Sequence, residues 1–361
     1  MTKKSGLILA PLGALYSAAM RVRRSLYKRG LLRVHNIGSV VISVGNITTG
    51  GTGKTPLVAW VARAAAKEGR RVCILTRGYG RADTGKRVLV SDGERILADA
   101  REGGDEPRLL AEMLQGVAAV LSDADRVGAA RWAEENLKSE VFILDDGFQH
   151  LRIARDLDLV TVDATNPWGS EKLLPHGRLR EPLRELARAD CIILTRSEQA
   201  ADLETLRKEA ERLSGARPVL LSRTHTKTLR PLNSSALRDN PSDSSTHHSS
   251  PINHHSFAAF CAIGNPLAFF DHIREDGHDL KLTCAFPDHH VYTQSDIDVF
   301  VSEAAGAGAQ ALLTTAKDAV KLNSLGFALP CYVLEIELEF DDEERLLGMI
   351  REAVQLKVRP A

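Results

Sequence analysis

The sequence predicts an α/β protein: a parallel sheet with helices on both faces, then a second, smaller α/β unit, with an apolar helix at the N-terminus. Three observations carry that expectation. Short β-branched runs alternate with segments of helical periodicity over most of the 361 residues. A glycine-rich loop joins the first of those runs to a helix. The alternation stops at one polar insert and then resumes.

Taken in order, the chain opens with "GLILAPLGALYSAAM" (6–20), apolar apart from one serine and flanked by Lys3, Lys4 and "RVRRSLYKRG". About 15 residues fall short of the roughly 20 a spanning helix needs. The stretch therefore reads as a helix over 1–30 lying in a membrane interface, its arginines on phospholipid headgroups. A secretory signal is disfavoured, because export would take the glycine loop away from cytosolic nucleotide.

The runs "VVISV", "RVCILT", "VFILDD", "LDLVTVD", "DCIILT" and "PVLLS" read as buried parallel strands, separated by helical stretches such as "PLVAWVARAAAKEG". "KRVLVSDGERIL" (86–97) is expected to be a hairpin turning at Asp92 and Gly93. This first domain is expected over 31–230. Residues 231–256, rich in Ser, Asn, His and Pro, read as an exposed loop whose His247, His248, His254 and His255 are solvated rather than metal-bound. "FAAFCAIG", "LKLTCAF", "AQALLTT" and "CYVLEIEL" then supply a smaller sheet over 257–361.

With 47 basic and 47 acidic side chains the net charge is zero, so no global field draws the molecule to nucleic acid. The five scattered cysteines lack C-x-x-C spacing and read as free thiols.

In "VGNITTGGTGKTP" (44–56) the strand–glycine loop–helix context is that of a phosphate-binding P-loop. Glycines let successive N–H groups turn towards phosphate oxygens, Lys54 reaches the β and γ phosphates, and Thr55 offers its hydroxyl to Mg²⁺. The usual pattern has glycine six places before the lysine, where this chain has Thr48. "VFILDDGFQH" (141–150), an apolar strand ending in Asp145 and Asp146, is the arrangement that holds Mg²⁺ opposite such a loop. In "GGDEP" (103–107), Asp105 is a candidate base, and its plain alternative is a helix N-cap.

These motifs, with "LTRGYGR" (75–81), "LSDADRVGAA" (121–130), "LLPHGRLREPL" (173–183), "FPDHHVYT" (286–293) and "LLTTAKDAVK" (312–321), resemble the tetraacyldisaccharide 4'-kinases over nearly the whole chain. Those enzymes use ATP to phosphorylate the lipid A precursor of Gram-negative bacteria, and the Thr48 departure belongs to their own version of the loop. The resemblance implies a P-loop NTPase-like sheet, ATP and Mg²⁺ as cofactors, and a nucleotide site at Thr48, Thr49, Gly50, Gly51, Thr52, Gly53, Lys54 and Thr55. It implies metal ligands among Thr55, Asp145, Asp146, Gln149 and Glu181, and phosphate or substrate contacts from Arg126 and Arg180. Catalysis is assigned to Lys54, Asp146, Asp105 and His289, the last two meeting across a cleft between the lobes; the choice of His289 over His290 rests on the resemblance alone. The implied partners are a lipid A disaccharide precursor and a phospholipid surface, with no nucleic acid. The expected form is a monomer at the cytoplasmic face of the inner membrane.

Two other classes fit less well. A partitioning-type ATPase carries a signature lysine where this chain has Thr49, and a GTPase needs an N-K-x-D motif whose spacing "TTAKD" lacks.

Overall fold

The structure, a computed structural model, describes residues 3–232 and 256–357. The chain divides into two compact units, Met1–Thr224 with Leu338–Ala361, and His225–Glu337. The expected polar loop, with its four histidines, lies outside the described residues but for its first two and its last.

The larger unit begins with α1 (Lys3–Lys28). No described helix is long and apolar enough to cross a membrane. From Tyr16 onwards α1 is tied to the body of the unit: the Tyr16 hydroxyl donates to the Arg180 carbonyl at 3.0 Å, and Arg24 pairs with Glu185.

The strands β1 (Val40–Asn46), β2 (Val72–Thr76), β3 (Val88–Ser91), β4 (Ala118–Ser122), β5 (Val141–Asp145), β6 (Leu157–Asp163), β7 (Cys191–Thr195) and β8 (Val219–Pro231) run in the order β8-β7-β6-β1-β5-β2-β4-β3. β1, β2, β4, β5, β6 and β7 are buried at every position, as strands covered on both faces must be, hence their continuous apolar runs. β3 pairs antiparallel, on β4. The turn at Asp92 and Gly93 forms as expected, but the return segment makes a single bridge, Ser91 to Ile96. β4 takes the partner's place; "AAVLS" is short and alanine-rich and gives a weak strand signal.

The connecting helices are α2 (Lys54–Lys67), α3 (Ala100–Gly103), α4 (Asp105–Met113), α5 (Arg126–Asn136) and α6 (Leu203–Ser214). The interior of α2 is carried by Leu57, Val58, Val61 and four buried alanines, which let it lie close on the sheet.

In the smaller unit, β9 (Ser256–Cys261), β10 (Asp279–Ala285), β11 (Ala311–Thr315) and β12 (Cys331–Phe340) form a parallel array in the order β10-β9-β11-β12. α7 (Pro266–Glu275), α8 (Gln294–Gly306) and α9 (Ala316–Ala319) accompany it. α8 starts with a capping box between Thr293 and Asp296.

The domain boundaries need two corrections. Residues 225–230, expected in the first domain, fall in the smaller unit. Residues 338–361, expected in the smaller domain, belong to the larger unit. The reason is apolar burial: α10 (Glu343–Leu356) puts Leu346, Ile350, Ala353 and Val354 into the core that α2 occupies, and Phe340 packs on Trp60 with ring centroids 4.8 Å apart.

Candidate active site

β1 delivers the glycine loop to the N-terminus of α2, with Gly53 at the cap position in the left-handed region (φ 75°). A side chain there would be strained by the backbone and would meet the Thr195 methyl at 3.3 Å. The loop's carbonyls are held one after another. Asn46 Nδ2 donates to Thr48 O (2.6 Å), Arg178 Nε to Thr49 O (3.1 Å), the Thr52 amide to Gly50 O (3.0 Å), an Arg196 amino group to Gly51 O (2.7 Å), and the Thr195 hydroxyl to Thr52 O (3.0 Å). Holding five consecutive carbonyls fixes the peptide planes in advance, which a phosphate cradle needs if ordering it is not to be charged against nucleotide binding. Arg196 is itself anchored by Asp163 at 2.6 Å. The sequence reading did not single out Arg178, Thr195 or Arg196.

The second motif comes beside the first because β5 pairs with β1. Its turn crosses β1 closely: a Cβ on Gly45 would lie 2.5 Å from the Phe148 amide nitrogen, so only glycine permits the approach. Asp146 has φ 51°, uncommon for a residue with a side chain. Lys54 Nζ stands 3.5 Å from one Asp146 oxygen, one Arg180 amino group reaches both (2.8 and 2.6 Å), and Arg126 donates to the Asp146 carbonyl at 3.3 Å. Burial alone would raise the Asp146 carboxyl, but Lys54 and Arg180 outweigh it and hold it below the ordinary range. Asp145 goes the other way. Burial, then the charges of Glu106 and Asp146, push it up to about 7 against Lys54 and Arg126.

Lys54, Asp145, Asp146, Arg126 and Arg180 thus form one cluster, and Gln149 joins it, donating to the Asn46 carbonyl at 2.9 Å and facing Arg180 at 3.4 Å. Glu106 is an acid of this cluster that the sequence reading passed over in favour of its neighbour; its place directly after Asp105 was the available signal. Glu181, grouped with the metal ligands from the sequence, is buried and paired with Arg188. Among the described residues no three His, Cys, Asp or Glu side chains form a ready-made metal cage. The donor set here, two strand-end carboxylates and the Thr55 hydroxyl on the first turn of α2, suits Mg²⁺, which is held by one or two carboxylates together with phosphate oxygens and water.

Asp105 is not the N-cap that its sequence position suggested. Gly104 takes the cap (φ 102°), and Asp105 is the first residue of α4. In the smaller unit, the turn after β10 places His289 at φ 63°, with Nε2 3.4 Å from Lys317 Nζ and 3.9 Å from Asp288. His290 has another environment: its Nε2 lies 3.1 Å from Asp296 in the cap of α8, and its ring stacks on Phe286.

Comparison with known proteins bears on the chain as a whole. The family model described as tetraacyldisaccharide-1-P 4'-kinase, LpxK, matches residues 5–355. The tetraacyldisaccharide 4'-kinase of Desulfotalea psychrophila is 40% identical over 338 residues, covering 92% of this chain and 93% of its own. That of Geobacter metallireducens is 41% identical over 315 residues, covering 87% and 88%. Among solved structures, the crystal structure of the "apo" form of LpxK from Aquifex aeolicus in complex with ATP superposes with a TM-score of 0.74 at 29% identity, covering 98% of this chain and all of that one.

Proposed function

The chain belongs to the tetraacyldisaccharide-1-P 4'-kinase family, and we infer that it transfers the γ-phosphate of ATP to the 4'-hydroxyl of a tetraacyldisaccharide 1-phosphate, a precursor of lipid A. The observation that carries this reading is the junction of Lys54 with the Asp145–Asp146 pair, in a chain that aligns with the family almost from end to end.

In this mechanism the loop from Thr48 to Thr55 binds the triphosphate, and Lys54 neutralises the transferring γ-phosphoryl group. Thr55, Asp145, Asp146 and Gln149, with Glu181, would hold Mg²⁺, which would supply further neutralisation of the β and γ phosphates; Glu181 is paired with Arg188 in this structure. Arg126 and Arg180 orient Asp146 and would contact phosphate or substrate. Asp105 accepts the proton of the 4'-hydroxyl, with His289 orienting it or stabilising its charge. The oxygen attacks the γ-phosphorus, the bond to the β-bridging oxygen breaks, and ADP leaves.

The substrate is a lipid, so the enzyme works at a surface. Val22, Leu31 and Val34 are exposed among Arg21, Arg23, Arg29 and Arg33, a composition suited to an anionic bilayer. This supports peripheral attachment to a membrane surface, and we place the enzyme, as a monomer, on the cytoplasmic face of the inner membrane. Incubation with γ-labelled ATP and the disaccharide lipid tests the function: label should appear on the lipid at the 4' position. ATP hydrolysis at the same rate with and without lipid would overturn it.

A further inference from the structure

α1 does more than extend from the body. Its residues Tyr16 and Arg24 bind the segment 180–188, the one that supplies Arg180 to Asp146. The Arg180 peptide is held on both sides, its amide donating to Ile47 O at 2.8 Å and its carbonyl accepting from Tyr16 at 3.0 Å, while its side chain reaches both Asp146 oxygens. A second route runs from Arg24 to Glu185, a carboxylate only 3% exposed, which also lies 3.5 Å from Arg188. Arg188 stands over the Phe148 ring at 4.1 Å and donates to the Phe148 carbonyl, two residues beyond Asp146.

An open groove lined by Met20, Arg23, Arg24, Leu151 and Glu181 runs along the joint between α1 and this segment. The Tyr16 and Arg24 links cross that joint and tie segment 180–188 to the helix. Without Arg24, the buried Glu185 carboxylate is left to Arg184 and Arg188, each at 3.5 Å, and its pull on Arg188, which also holds Phe148, grows.

We propose that Tyr16 and Arg24 are positioning residues for phosphoryl transfer: seated through them, the N-terminal helix sets the geometry of Asp146 and the turn that follows it. The proposal rests on the kinase reading above, and it makes α1 part of the catalytic framework as well as the attachment. A helix that loosens from segment 180–188 would leave an enzyme that binds membranes and turns over slowly.

Tyr16→Phe, Arg24→Gln and Arg24→Lys, made in the full chain and assayed in mixed micelles at saturating disaccharide lipid, test it. Tyr16→Phe and Arg24→Gln are expected to lower kcat by roughly 10- to 100-fold, the order that a small misplacement of a reacting group costs. KM for the lipid and binding to phosphatidylglycerol vesicles should change little, and Arg24→Lys, which keeps the charge on Glu185, should restore kcat. The Mg²⁺ concentration needed for half-maximal binding of a fluorescent ATP analogue should rise in parallel. Unchanged kcat and Mg²⁺ dependence, or a loss confined to lipid KM, would show that α1 is an anchor only. If Arg24→Gln does not fold, Tyr16→Phe decides by the same readouts. If the wild-type protein binds Mg·ATP but phosphorylates no disaccharide, the function is wrong, and the Mg²⁺ dependence still decides this proposal.

Discussion

Two turns of this chain share an unusual backbone and differ in nearly everything around it. One follows β5 and bends at Asp146 (φ 51°); the other follows β10 and bends at His289 (φ 63°). Neither residue is glycine, and a left-handed residue with a side chain persists only where its surroundings over-determine it. At Asp146 the surroundings are two cations on the carboxylate and a third on the carbonyl. At His289 they include an amide hydrogen bond to Ala262 O at 3.4 Å, Lys317 Nζ at 3.4 Å from the ring and Asp288 at 3.9 Å. The first turn is fixed by strong electrostatics before any ligand arrives. The second sets an imidazole between a lysine and an aspartate.

The comparison breaks hardest at Lys54. Lys54→Ala should take turnover to the assay floor, with a loss of about 10³-fold or more, because a preorganised charge on the transferring phosphoryl group is among the largest single contributions to such a reaction. Arg180 and Arg126 still hold Asp146 in this variant, so the melting temperature should stay close to wild type. Near-normal γ-phosphate transfer would remove the phosphate-loop assignment.

Asp105 and His289 come next. Gly104 is the cap of α4, so Asp105→Asn sacrifices no capping oxygen, and the loss of charge at the helix start is worth about 0.3–1 kcal/mol. A base would lose roughly 10² to 10⁴ in kcat on the same change. His289→Ala should lose a similar factor, and the double variant much less than the product, as residues acting as a unit do. Multiplicative losses in single-turnover assays would mean that Asp105 and His289 serve separate steps.

A third effect is visible without substrate. The Asp145 carboxyl is pushed up to about 7 by burial and the acids beside it, whereas in the unfolded chain it titrates near about 4. Between those values the unfolded chain has lost the proton and the folded one keeps it, so this group's contribution to stability is full below about pH 4 and falls as pH rises to about 7. Asp146, held low, acts in the opposite sense at more acid pH. In EDTA, urea midpoints of the wild type should therefore decline from pH 5 to 7 relative to Asp145→Asn. Parallel curves would show that the strand-end pair is not protonated in the metal-free protein.

The two turns were also unequally legible in the sequence. Lys54, Thr55, Asp145 and Asp146 could be read because phosphate and metal chemistry need particular residue types next to a strand end, and those residues are contiguous. The clamp on the loop's carbonyls could not, since Arg178 and Arg196 lie 129 and 145 residues from the carbonyls they bind. Asp105 looked like a cap because aspartate favours that role, and only the backbone torsion of Gly104 shows otherwise. The α/β rhythm gave the strands on both sides of the polar insert, but α10 rejoined the larger core through an apolar stripe that local periodicity cannot assign to one domain or the other.

The smallest expected effect is the sharpest control on the comparison, because it concerns the neighbour of His289. From the sequence, "FPDHH" offers two equivalent imidazoles, and nothing in their order separates them. In the structure His290 is committed: its Nε2 faces Asp296 at 3.1 Å, and that same carboxylate accepts from the Thr293 amide and hydroxyl, both at 2.8 Å. Its ring stacks on Phe286 at a centroid distance of 4.9 Å. His290→Ala should therefore cost stability, about 1 kcal/mol for one hydrogen bond with its packing, while kcat stays near wild type. His289→Ala should do the reverse, lowering kcat more than stability, because the ring's assigned task is in the proton transfer. Urea melts and single-turnover rates on the two variants give four numbers, and a crossed pattern supports the division of roles. If His290→Ala instead abolishes transfer while His289→Ala merely destabilises, the proton-handling role belongs to the neighbouring ring.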